Sequence, residues 1–84
     1  MNAAICPDCG DLIRSTHRHD WVSCGCWGED SGLGIFVDGG DVYHRRGYNK
    51  KTPLDVPDEE AFEKLSKLSP EERLAWMAEI SGAR

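Results

Sequence analysis

The chain has 84 residues, 39% of them hydrophobic, with 15 acidic against 10 basic side chains and a formal net charge of −5. That length allows one small domain, whose core usually needs a metal, disulfides or a partner to hold it. No apolar run approaches membrane-spanning length, and the acid excess disfavours a phosphate backbone as the main partner.

The N-terminal Met-Asn-Ala-Ala-Ile-Cys has no basic run followed by an apolar stretch. The expectation is a soluble, intracellular protein, where thiols stay reduced and available to metal. All four cysteines then fall in two close pairs, Cys6-Pro7-Asp8-Cys9-Gly10 and Cys24-Gly25-Cys26. Two tight pairs brought together by a hairpin supply the four converging ligands that tetrahedral zinc needs, so the spacing predicts one structural Zn²⁺ on Cys6, Cys9, Cys24 and Cys26. Gly10 would leave room for backbone N–H groups to approach sulfur. The second pair is one residue shorter than usual, which leaves His17 or His19 as substitute ligands and disulfides or free thiols as the plainer alternative.

Asp11 to Thr16 reads as a strand and Trp21 to Ser23 as its return, joined by His17-Arg18-His19-Asp20. This pairing sets Thr16 opposite Trp21 and Ile13 opposite Cys24, with the metal at the base and the four polar residues at an exposed tip. Trp27 to Gly34 is rich in glycine and acid and reads as a loop. Ile35 to Asp38, Gly39-Gly40, then Asp41 to Arg46 read as a second hairpin with a two-residue turn, Val37 facing Val42 and Ile35 facing His44. Alternation along its second strand sends Arg45 and Arg46 to opposite faces.

Residues 47–57, polar and broken by Pro53 and Pro57, read as a linker. Asp58 to Leu68 carries Ala61, Phe62, Leu65 and Leu68 at helical spacing. Ser69-Pro70-Glu71-Glu72 has the signature of a capping box opening a second helix that ends near Gly82, with an apolar face at Leu74, Trp76, Met77 and Ile80. The sequence thus predicts an α+β mini-domain: a zinc ribbon of two β-hairpins over residues 1–46, a linker over 47–57, and a helical hairpin over 58–84 packed on the ribbon or on a partner. Homodimerisation through the C-terminal helices is one way to cover them.

The charge is uneven. Residues 1–51 carry six basic and seven acidic side chains, whereas residues 52–84 carry four against eight. A basic patch on the front half, Arg14, Arg18, Arg45, Arg46 and Lys50, could contact nucleic acid. The tip residues Arg18, His19 and Asp20, together with Trp76, are the candidate contacts for a protein partner. The tip has a plainer reading too, in which its side chains pin the hairpin against Asp38, Asp41, Arg45 and Arg46. A third reading makes the tip the centre of a small metal-dependent hydrolase with a second metal on the histidines. No nucleophile arrangement is evident, since every cysteine is claimed by the first metal, and the sequence reading is of a non-enzyme.

The string Cys-Pro-Asp-Cys-Gly-Asp-Leu-Ile-Arg-Ser-Thr-His-Arg-His-Asp, followed by Cys24-Gly25-Cys26, Val37-Asp38-Gly39-Gly40 and Tyr43-His44-Arg45-Arg46, resembles a family of very small phage and prophage zinc-ribbon proteins of unknown function. The resemblance covers about residues 6–46. It implies Cys6, Cys9, Cys24 and Cys26 as metal ligands, a phage origin and hence a bacterial cytoplasm, and no established chemistry. Two departures stand out: the Trp27–Gly34 loop is longer than in that pattern, and residues 52–84 have no counterpart in it. With the non-enzymatic reading, the resemblance points to an accessory protein that binds a host or phage protein, such as a defence or transcription factor, and modulates it.

Overall fold

Asn2-Ala3-Ala4-Ile5 carries no alternation that would mark it as a strand, yet it is the most buried segment of the chain. In the computed structural model, which describes residues 1–28 and 30–82, with the side chains of 80–82 left aside, it forms β1 (Asn2–Ile5), fully buried along its length. β1 is the central strand of an antiparallel sheet in the order β2-β1-β6, with β2 at Leu12–Ser15 and β6 at Leu54–Asp55. A second antiparallel sheet has the order β3-β4-β5, from Val22–Ser23, Ile35–Asp38 and Arg45–Tyr48. One helical turn, α1 (Gly40–Tyr43), lies between β4 and β5, and α2 (Glu59–Ser66) and α3 (Pro70–Gly82) close the chain. The fold is therefore the predicted α+β arrangement of two hairpin-built sheets followed by C-terminal helices.

The layers follow from the pleat of β1. Ala4 points to the second sheet and packs with Cys6, Ile13, Cys24, Ile35 and Val37. Ala3 and Ile5 point the other way, to Val56 and Leu65, with Phe62, Trp76 and Met77 around them. A strand covered on both faces shows no hydrophobic period, and its alanines let a sheet and a helical layer approach from either side. Asn2 is the buried polar member: its Nδ2 donates to the Asp38 carbonyl at 2.7 Å and its Oδ1 accepts from Arg46 Nε at 3.2 Å, which ties the two sheets together.

Two predicted pairings are corrected. β2 does not pair with the Trp21–Ser23 return. It pairs with β1, Asn2 opposite Ser15 and Ile5 opposite Leu12, so the cysteine turn itself is the hairpin connection. β3 pairs instead with β4, Val22 opposite Val37 and Ser23 opposite Phe36, and the His-Arg-His-Asp segment is a crossing between sheets. The cysteine pairs meet because the sheets pack, not because one hairpin closes.

The second correction concerns Gly39-Gly40. Both have positive φ, 83° and 53°, as a tight turn requires, but the chain continues into α1 and β5 starts only at Arg45. The observed register is Asp38 to Arg45, Val37 to Arg46, Phe36 to Gly47 and Ile35 to Tyr48. Val42 and His44 thus leave the core, with Val42 67% exposed. Tertiary contacts explain the shift: Gly40 N–H donates to Ser15 Oγ at 2.8 Å, and a Cβ on Gly40 would come within 2.7 Å of the His17 nitrogen. The shift also sets Gly47 against Phe36, where a Cβ would lie 2.1 Å from the ring.

Within residues 47–57, β5 runs to Tyr48, β6 pairs with β1 at Ala4–Asp55 and Ile5–Leu54, and Val56 is fully buried. α2 is capped by Asp58, whose Oδ1 accepts the Ala61 N–H at 2.8 Å. α3 opens with the predicted box: Ser69 N–H donates to Glu72 Oε1 at 2.9 Å, and Glu72 N–H to Ser69 Oγ at 3.1 Å. The Ile80 side chain, read onto the apolar face of this helix, lies outside the described residues. No helix among the described residues is long and apolar enough to cross a membrane.

Candidate metal centre

Cys6 directly follows β1, Cys9 lies in the turn to β2, and Cys24 and Cys26 follow β3. The four Sγ atoms lie within 4.8 Å of one another, with Cys6–Cys26 and Cys24–Cys26 at 3.6 Å each. A tetrahedron with metal–sulfur bonds of about 2.3 Å has sulfur–sulfur edges of about 3.8 Å, so the cluster fits one tetrahedral, sulfur-loving ion with little adjustment. None of the four cysteines is in a disulfide. Among the described residues they are the one group of three or more such side chains so gathered, and neither His17 nor His19 belongs to it.

The surroundings hold the sulfurs in place. Asp8 N–H donates to Cys6 Sγ at 3.4 Å and Ile35 N–H to Cys24 Sγ at 3.3 Å. Gly10's own N–H goes to the Cys6 carbonyl at 2.8 Å, and the space left by its missing Cβ, at φ +80°, is taken by the backbone of Pro70. Gly34, at φ +100°, lets the chain pass Trp27 and Cys24, since a Cβ there would stand 2.6 Å from Trp27 Cα and 3.1 Å from Cys24 Sγ.

Burial pushes the Cys6 thiol up to about 11, and burial with the surrounding sulfurs raises Cys26 as well. Burial also works against ionising Cys24, but the Ile35 N–H and the neighbouring thiols outweigh it, and its pKa is lowered. The protein's own dipoles thus favour a thiolate at Cys24; a bound cation is the charge that would ionise Cys6 and Cys26 beside it.

Two supporting residues escaped the sequence reading. Asp11 Oδ2 accepts the Gly25 N–H at 2.6 Å, so the carboxylate directly after the first cysteine turn holds the second. Asp8 reaches Gly34 N–H at 3.4 Å and Lys51 Nζ at 3.7 Å. The signal for Asp11 is its place in Cys-x-x-Cys-Gly-Asp, directly after the first cysteine turn.

The tip is satisfied mostly from within. Asp20 Oδ2 accepts the Thr16 N–H at 2.9 Å, Ser15 Oγ donates to the Asp20 carbonyl at 2.6 Å, and His17 Nδ1 lies 3.8 Å from Asp20 Oδ2. Arg18 Nε donates to Tyr43 Oη at 2.7 Å. His19 is exposed. The predicted partners of the tip are engaged elsewhere: Asp38 with Arg45 at 3.8 Å, Asp41 with the Met1 amino group at 3.5 Å, and Arg46 with Asp55 at 2.6 Å.

The candidate nucleic-acid contacts are dispersed. Arg14 is held by both Glu59 carboxylate oxygens, at 2.6 and 3.3 Å, on the helical side of the first sheet, and Arg46 points inward. Arg45 and Lys50 are exposed on the other sheet and beyond it. Trp76 is half-buried at the wall of a groove between α2 and α3.

No curated protein and no solved structure matches the chain. Residues 1–48, which span the first five strands and all four cysteines, match the family described as a domain of unknown function, DUF7695. On that match over more than half its length, the chain belongs to this family.

Proposed function

We propose that the protein is a non-catalytic binding module stapled by one structural Zn²⁺, a phage accessory protein that engages a host or phage protein in the bacterial cytoplasm and modulates its activity. One observation carries this reading. All four positions of the tetrahedron are taken by protein sulfurs, with Cys6 and Cys24 buried between the sheets, which leaves no open position for water or substrate. Zinc suits a redox-inert staple of four thiolates, and a reducing compartment keeps those thiols available. The phage origin rests on the sequence resemblance. The partner contact is assigned to the groove at Trp76, since Arg18 and Asp20 are spent on Tyr43 and on the tip backbone.

Elemental analysis of protein purified without chelator, for the wild type and a His17→Ala/His19→Ala variant, tests the reading. One zinc per chain in both supports a structural metal. Two metals in the wild type, falling to one in the variant, would place a second site at the tip and overturn the non-catalytic assignment.

A further inference from the structure

The groove between α2 and α3 has a volume of about 500 Å³. Its floor is apolar, from Ala61, Leu65, Leu68 and Trp76, and its rim carries Asp55, Asp58 and Glu60 with Lys64 as the one cation among the lining residues. A floor of this kind accepts an aliphatic or aromatic side chain, and an open groove along α2, walled by Trp76 of α3, suits an amphipathic segment laid against it.

The rim charges decide what that segment carries. Asp55 is paired with Arg46 at 2.6 Å. Glu60 meets Lys64 only at 3.5 Å, both side chains being about 80% exposed, an arrangement that another cation can replace at little cost. Asp58 caps α2 through one oxygen, Oδ1. With the rim included, residues 52–84 hold eight carboxylates against four cations, and one of those cations, Arg73, is turned inward to the carbonyls of Leu65 and Gly10 at 2.9 Å each. A second copy of the chain would set acid against acid across this face, and a phosphate backbone would meet the same repulsion.

We infer that the groove takes a short basic amphipathic segment of a protein partner, which seats an apolar side chain against Trp76 while its Lys or Arg side chains meet Asp58 and Glu60. The inference rests on the binding-module reading above and specifies the chemistry of the partner.

The probe is a fluorescein-labelled amphipathic helical peptide of leucine and lysine, with analogues of equal length in which glutamine or glutamate replaces lysine. Each is titrated by anisotropy into the zinc-loaded full chain, and amide shifts locate the contact. The lysine peptide is expected to bind saturably at one site, with shifts at Ala61, Leu65 and Leu68, and to weaken with salt. Trp76→Ala is expected to weaken it about 30-fold, the size of a buried aromatic anchor, and Glu60→Lys about tenfold through charge. Glu71→Lys, outside the groove, is the charge control and leaves affinity unchanged. Glu60 is exposed, so its variant keeps the fold even if Trp76→Ala does not.

If the glutamine or glutamate peptide binds the groove as tightly as the lysine peptide, the basic-partner inference fails while the binding-module reading stands. If no peptide moves a groove resonance, the inference and the groove assignment both fail. A concentration-dependent dimer that shields Ala61 and Leu68 would give the groove to a second copy and overturn the inference.

Discussion

Gly10 lies against the backbone of Pro70: a Cβ at Gly10 would stand 2.1 Å from the Pro70 oxygen, and Arg73 Nη1 donates to the Gly10 carbonyl at 2.9 Å. The first cysteine turn and the first turn of α3 are therefore one packed unit. Gly10→Ala is expected to destabilise the protein by more than about 2 kcal/mol, because it adds left-handed backbone strain to a clash with main-chain atoms. Urea unfolding followed by helical circular dichroism checks this, and a wild-type midpoint would show that α3 docks without the turn.

Removal of the metal is expected to unfold the domain outright. Structural zinc contributes about 10–16 kcal/mol to small zinc-dependent folds, whereas a whole domain is stable by only about 5–15 kcal/mol. Chelator added to wild type and the Cys24→Ser substitution should both abolish amide dispersion, and zinc should restore it in the wild type alone. A folded, dispersed apo spectrum would make the metal an ornament of a core that holds itself.

Asp11→Ala leaves the ligands intact but frees the Gly25 N–H that positions the second cysteine pair. Loss of an outer-shell hydrogen bond of this kind typically lowers metal affinity about 10–100-fold. Competition with a chromogenic chelator measures it, and unchanged affinity would reduce Asp11 to a loop residue.

Asp20 titrates below its usual 3.8, chiefly because its carboxylate accepts the Thr16 N–H, with further help from the Thr16 hydroxyl and His17. A folded-state pKa lower than the unfolded one means the contribution to stability is complete above pH 3.8 and is lost as the pH falls through the lower, folded value. A carboxyl-carbon NMR titration should place the Asp20 midpoint below 3.8, and Asp20→Asn should lower stability at neutral pH, where the carboxylate contributes, while removing the further acid-side loosening of the tip.

Asn2 is fully buried and bonded to both Asp38 and Arg46. Asn2→Leu keeps the branching of the side chain but removes its bonds to the Arg46 Nε and the Asp38 carbonyl, at an expected cost of about 1–3 kcal/mol. Thermal unfolding reads the change, and a stability gain would show that the two sheets are held by apolar contact alone.

What could be read in the sequence was what local chemistry writes into it. The four-cysteine cluster was legible because thiol pairs at short spacing have few other uses, and α3 because Ser69, Pro70 and Glu72 make a cap by themselves. β1 was hidden, since Asn-Ala-Ala-Ile buries both faces and so shows no period. The glycines at 39 and 40 announced positive φ truthfully, but the course of the chain beyond them is set by Ser15 and His17, distant in sequence. β6 escaped because two residues between prolines become a strand only when β1 offers an edge. In the site, Asp11 was visible as a residue and invisible as a partner of Gly25.

β1 is paired on one edge with β2 and on the other with β6, from beyond all four cysteines. In a bare chain, Ile5 must find Leu54 by diffusive search across the whole intervening segment. An ion that already joins Cys6 to Cys26 removes about two-fifths of that segment from the search. Shortening a flexible loop by that fraction lowers its closure cost by about 0.5 kcal/mol, roughly a twofold gain in rate. The metal is thus expected to act on the clock as well as on the equilibrium: refolding begun with zinc present should outrun refolding in which zinc is supplied last.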